Sequence, residues 1–152
     1  WGFHPDPFAW GKMHFDSAFR KLYIFYEYYQ WKQNTRASYD YLVRHKVLNH
    51  NDLIIADSNS PQSVADYREY GANCRAAEKG DKSRRYSYEW LQGLKEIIID
   101  PERCPHHAKE FVDAEYEHTK DGEIISGYPS TNDHAIDDVR YATNLIWRVR
   151  GQ

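Results

Sequence analysis

Leu53-Ile54-Ile55-Ala56-Asp57-Ser58-Asn59-Ser60-Pro61 is the stretch that decides the fold. An unbroken apolar run marks a strand buried on both faces. This one ends in an acid, and Asn59-Ser60-Pro61 then signals a turn and a helix start. In open α/β sheets, ligand-handling groups stand at the carboxyl ends of strands, which is where this reading puts Asp57. The plainer reading makes Asp57 a cap for the turn. Ser58 and Ser60 serve that purpose equally well, so the ligand-handling reading is preferred. Residues 53–57 are expected inside the sheet.

Upstream, 8–15 and 21–29 are aromatic and β-branched enough for an antiparallel pair, turning at 16–20. A helix is expected over 35–48, with Tyr39, Leu42, Val43 and Val47 at helical spacing. Downstream, Pro61 opens a helix over 60–70 that Gly71 stops. A strand at 73–77, a helix at 81–93, a strand at 96–100 and a helix at 105–114 follow. Residues 115–126 read as a β-hairpin turning at Asp121-Gly122. The last helix is expected over 136–148. A strand pair followed by alternating helices and strands predicts an α/β fold: a mixed sheet with helices on both faces.

The mouth of the last helix carries the second informative stretch, Tyr128-Pro-Ser-Thr-Asn-Asp-His-Ala-Ile-Asp-Asp-Val-Arg-Tyr-Ala142. Asp133 and Asp137 stand four apart, as do His134 and Asp138, so on a helix each pair shares a face. Crowded like charges need a compensating cation, and carboxylate oxygens suit Mg²⁺ or Mn²⁺. The competing reading is a solvated first turn, where acids favour the helix dipole.

Composition bounds the function. At 152 residues the chain reads as a single domain, 1–152, large enough for a core. Net charge is −3 and the pI is about 6.2, so no global basic field announces a nucleic-acid partner and any DNA contact is local. The only dense basic cluster is Lys79, Lys82, Arg84 and Arg85, beside Tyr86 and Tyr88. It reads as phosphate contacts at a loop and helix start, or as a solvated helix face. The two cysteines, Cys74 and Cys104, suit a reducing compartment. No apolar run reaches a membrane span and no signal peptide is visible. Cys104-Pro105-His106-His107 lacks a paired Cys-x-x-Cys and reads as a helix start, not a zinc site. Aromatic content is high at 16%, and the tyrosine-rich run 23–29 reads as sheet packing.

Four segments together resemble the C-terminal nuclease domain of the large terminase subunit of tailed bacteriophages, a ribonuclease H-like fold. They are residues 1–9, Leu53-Ile-Ile-Ala-Asp57-Ser58, Lys79-Gly80-Asp81-Lys82-Ser83, and the closing Asp133-His134-Ala135-Ile136-Asp137-Asp138-Val139-Arg140-Tyr141-Ala142. Their order runs nearly end to end, and the closing motif is the most specific. The resemblance implies a metal-dependent endonuclease that cuts concatemeric viral double-stranded DNA during packaging. It implies a site of three acids holding Mg²⁺ or Mn²⁺ as a two-metal cluster. Asp57 matches the second acid and Asp137 the third. The first is expected immediately before Trp1, outside this sequence, since Asp6 matches the family's loop instead. The chain is therefore expected to be a fragment of a longer one, and without that acid to bind metal weakly and cut poorly. An amide is more usual in the family at position 133, so Asp133 either adds a carboxylate to the site or caps the helix. His134 and Asp138 are candidates for orienting ligands or water. The implied partners are the parent chain's ATPase domain, the small terminase subunit and the portal, in the cytoplasm of the infected bacterial host. The 115–126 hairpin is expected near the active site, where it gates DNA or is merely structural.

The chemistry accounts for converging acids. Phosphodiester hydrolysis needs an activated water and a stabilised leaving oxygen, and two metals ~3.5–4 Å apart supply both. Two rival classes share some of these features: another ribonuclease H-like enzyme, such as a resolvase or transposase core, and a non-catalytic docking domain. Junction cleavage separates the first, and the absence of any Mn²⁺ response the second.

Overall fold

A computed structural model describes residues 6–119 and 133–150. Its elements run β1 (Phe8–Asp16), β2 (Lys21–Gln30), α1 (Thr35–Arg44), β3 (Leu53–Ala56), α2 (Pro61–Glu69), β4 (Asn73–Ala76), α3 (Ser83–Gln92), β5 (Glu96–Ile99), α4 (Pro105–Thr119), α5 (His134–Ala142) and α6 (Asn144–Arg150).

β1 and β2 form the expected antiparallel pair, and β5 joins β2 in parallel, so this sheet is mixed. Asp16 closes the turn by accepting the amides of Ala18 and Phe19 through Oδ1, at 3.1 and 3.2 Å. One register shift falls between Lys12 and Met13: Lys12 faces Tyr26 and Met13 faces Ile24, leaving Phe25 as an extra residue in β2. Such a bulge turns the following side chains to the other face. Leu22 and Ile24 accordingly lie in one core cluster, with Leu91, Cys104 and Val139. Tyr28 lies in a second, with Phe8, Trp10, Leu42, Ile54, Val64 and Tyr67. The first core sits under α3, α4 and α5, and the second under α1 and α2. Helices thus cover both faces.

Three expectations need correction. β3 is not internal. It pairs only with β4, in parallel, as a separate two-stranded ladder, and Leu53 is 44% exposed. Lys12 of β1 is tied instead to the segment leading into β3, its Nζ reaching Val47 O at 2.7 Å and Asp52 Oδ2 at 2.8 Å. Ile54 and Ala56 remain buried, which is the signal that the apolar run carried. Next, α4 continues through 115–119, where the first hairpin arm was expected. Asp121-Gly122 and the rest of that hairpin lie outside the described residues. Finally, the last helix is two helices, breaking at Thr143. The Thr143 hydroxyl donates to Val139 O at 2.7 Å, and buried Asn144 turns its amide to another segment. Side-chain bonds of this kind compete with the helix ladder.

Candidate active site

α5 lies across β1 and β3 and buries Ala135, Ile136, Val139 and Arg140, positions on one face of a 3.6-residue helix. Its first turn therefore hangs over the carboxyl end of β3. Between them opens a cleft of about 90 Å³ lined by Pro7–Trp10, Ile54–Asp57, His134, Asp137, Asp138 and Tyr141. Asp57, His134, Asp137 and Asp138, singled out from sequence, meet here from distant parts of the chain. Asp133 is not among the lining residues.

The acids are compensated by protein cations. Asp57 Oδ1 receives the Lys79 ammonium at 2.5 Å and the Asn59 amide at 3.0 Å. Lys79 also lies 4.9 Å from the centre of the Tyr141 ring. Asp137 Oδ1 is bonded by the Arg140 guanidinium, whose Nε donates to Ser87 Oγ at 2.7 Å. Burial pushes the Asp137 carboxyl above the usual carboxylate range against the pull of Arg140, and the nearby charge of Asp133 adds to the rise. A carboxylate so placed gains from any further cation.

Asp133 neither joins the cleft nor caps α5. It stands at the N-cap without a side-chain capping bond, and its Oδ2 takes Arg84 Nη2 at 2.9 Å. Glu110 of α4 caps the helix instead: its Oε2 accepts the amides of Ala135 and Ile136 at 2.7 and 3.1 Å. His134 Nε2 is 3.9 Å from Asp6 Oδ1 at the rim.

The basic cluster divides. Lys79 and Arg84 turn to the acids, while Arg85 pairs along its own helix with Glu89 at 2.6 Å. Lys82 makes no ion pair among the described residues and holds a left-handed backbone, φ 65°, at the head of α3. Asn144 fixes this loop: it accepts from Glu78 N and donates to Glu78 O, both at 3.0 Å.

Sequence reasoning missed the wall behind Asp138. Its Oδ2 lies 2.9 Å from Nε2 of fully buried His107, whose Nδ1 lies 2.7 Å from Glu27 Oε2. Glu27 also accepts the amides of His106 and His107, each at 3.0 Å. Burial alone would lower the His107 pKa, but its bonds to Asp138 and Glu27 carry it up to about 9. Burial alone would raise Glu27, but the two histidines bring it down to about 2. Both ring nitrogens of His107 thus face carboxylate oxygens, an arrangement that favours the imidazolium. Gly11 of β1 is the floor of this arrangement, since a Cβ there would run into Asp138 Oδ2 and lie 3.0 Å from His107 Nε2. Nothing local to Cys104–His107 points to the partners of His107 on β2 and α5. The break at Asn144 and the cap from Glu110 left no local signal either.

No group of three or more His, Cys, Asp or Glu able to enclose a metal ion exists among the described residues. The donors in the cleft nonetheless fit a hard divalent cation. Asp57 and Asp137 offer carboxylate oxygens from a strand end and a helix start, each now held by a single-charged group that a metal ion would displace.

A mixed sheet covered by helices on both faces, with an acid at a strand end facing the acids of a terminal helix, is the architecture of a ribonuclease H-like domain. The chain belongs to the family described as the terminase RNase H-like domain, which it matches over residues 1–144. It is 34% identical over 143 residues to the terminase large subunit of Bacillus phage SPP1, covering 93% of this chain and 33% of that one. It is 27% identical over 141 residues to the PBSX phage terminase large subunit of Bacillus subtilis, covering 93% and 32%. The chain therefore spans about a third of the length of these curated relatives. The crystal structure of the large terminase nuclease domain of bacteriophage SPP1, with bound Mn, superposes with a TM-score of 0.81. That likeness comes at 31% identity and covers 93% of this chain and 80% of that one.

Proposed function

We propose that this chain is a divalent-metal-dependent endonuclease that cuts concatemeric viral double-stranded DNA during genome packaging. The observation that carries the reading is that Asp57 and Asp137 line one cleft. Support comes from the family match and from the related SPP1 domain, which was crystallised with Mn.

Asp57 and Asp137 would hold Mg²⁺ or Mn²⁺, as a two-metal site once a further acid is supplied. When bound, the metal supplies Lewis-acid stabilisation of phosphate charge and lowers the pKa of water. The chain's own residues do the rest. Lys79 balances Asp57 before metal arrives, and afterwards its ammonium is free to meet a phosphate oxygen. Arg140, anchored on Ser87, orients Asp137 until metal takes its place. Lys82, Arg84 and Arg85 provide phosphate contacts along one flank. The whole-protein setting is proposed with it: an ATPase domain in the parent chain, the small terminase subunit and portal as partners, and the infected host's cytoplasm. No helix among the described residues is long and apolar enough to cross a membrane.

Cleavage of linear duplex DNA in Mn²⁺ tests the reading, using the chain alone and the chain with Asp placed before Trp1. Asp57→Asn and Asp137→Asn should each remove activity by a factor of at least ~10², since no neighbour replaces the lost ligand. Cutting that survives both substitutions in clean preparations rules these acids out as the catalytic set.

A further inference from the structure

Asp138 lines the cleft next to Asp137, yet its position is set from behind. Oδ2 is taken by His107, and no described residue hydrogen-bonds Oδ1. His107 cannot turn, because it is fully buried and both ring nitrogens are engaged. Glu27 cannot turn either, because four donors from two successive residues of α4 hold its two oxygens: the amides and the Nδ1 atoms of His106 and His107. Gly11 admits the Asp138 carboxylate against β1, where a side chain would exclude it. The chain thus links β2, α4 and α5 through charged groups and ends at Asp138, which lines the cleft. Burying three charges is costly unless all are paired, and a purely structural role would be met as well by apolar packing.

We propose that His107 is a positioning residue for DNA cleavage, acting through Asp138, whose Oδ1 it holds as a fixed hydrogen-bond acceptor for water entering the cleft beside Asp137. The proposal rests on the nuclease reading. The proposal gives Asp138 no part in holding metal, so the metal site and the acceptor separate experimentally.

The test uses His107→Gln, Asp138→Asn and the double variant, with three readouts: Mn²⁺ binding by calorimetry, single-turnover cleavage at saturating DNA, and long-range ¹H–¹⁵N spectra of the histidine rings. Mn²⁺ affinity should stay within about threefold of the unaltered chain. The maximal rate should fall about 10- to 100-fold in each single variant, the range seen when partners behind a metal site are removed, with half-saturating DNA unchanged. The double variant should be no slower than the slower single, because both act through one acceptor. Asp138→Asn should shift the His107 Nε2 resonance. Where His107→Gln does not fold, Asp138→Asn carries the test alone through rate, Mn²⁺ affinity and ring spectrum. A folded variant that cuts at the normal rate overturns the proposal, as do single losses that multiply in the double variant or an unmoved Nε2 signal. A chain that binds no Mn²⁺ and cuts no DNA, with or without the added Asp, overturns the nuclease reading and this proposal together.

Discussion

Gly11 and His107 are the residues on which the site's local order turns. Gly11 is not a hinge; it is a vacancy shaped for Asp138 and His107. Gly11→Ala should destabilise the protein by about 1–3 kcal/mol, the usual range for overpacking against groups that cannot retreat. Denaturant midpoints measure this, and a midpoint unchanged by the methyl group would mean that the wall yields. His107 makes stability depend on pH with a definite sign. Its folded value is raised to about 9, so its contribution is complete below its ordinary value near 6.5 and is lost as pH climbs through about 9. Glu27 is lowered to about 2, so its contribution is present above its ordinary value near 4.5 and is lost as pH falls toward about 2. Thermal unfolding should therefore show a plateau between about pH 4.5 and 6.5. The alkaline limb should fall by at most ~3 kcal/mol, since part of the energy belongs equally to the carboxylate partners. His107→Gln should flatten that limb; a fall of equal size in the variant would assign it to other groups.

At the scale of elements, the helix that carries Asp137 begins where another helix lets it. Glu110 of α4 takes the second and third α5 amides in a buried setting, and its carboxyl is raised by burial despite those amides. Glu110→Ala should cost about 1–2 kcal/mol and loosen the start of α5, with Glu110→Gln recovering part. Hydrogen exchange at Ala135 and Ile136 reads this directly; protection unchanged in the Ala variant would assign the cap to solvent. The element sequence was legible in the chain because periodicity and turn residues are local. Residues 53–56 were apolar, Pro61 opened α2 and Gly71 closed it, and Asp57 came out at the strand end where the cleft lies. What local signals could not carry was pairing. Nothing in Leu53–Ala56 states that it pairs with β4 alone. Nothing in 21–29 marks Phe25 as the extra residue that turns Leu22 and Ile24 to the opposite face from Tyr28. The hairpin expectation failed over 115–119 because Asp121-Gly122 is a turn signal for whatever precedes it, and here a helix precedes it. The same blindness hid the site's back wall: Glu27, His107 and Asp138 are distant in sequence and unremarkable singly.

Across the whole molecule, a net charge of −3 has to be reconciled with the proposed polyanionic substrate. Charges beyond a Debye length are screened, so binding is decided by the few cations near the cleft. The geometry assigns them different duties, and this separates two substitutions that sequence alone treats as equivalent. Lys82 makes no ion pair among the described residues, and alanine keeps its Cβ, so Lys82→Ala leaves the strained φ of 65° as it was. It should weaken DNA binding modestly and reduce the slope of log affinity against log salt by about 0.9, one phosphate's worth, while Mn²⁺ affinity holds. Arg84 is bonded to Asp133 and pulls the Asp137 carboxyl down. Arg84→Ala removes a cation from beside two acids, so Mn²⁺ should bind severalfold more tightly even as DNA binds more weakly. Salt-dependent DNA titrations paired with Mn²⁺ calorimetry measure both quantities on the same preparations. Identical behaviour of the two variants in Mn²⁺ would show that the Arg84–Asp133 pair is electrically separate from the cleft, and that the basic flank serves DNA alone.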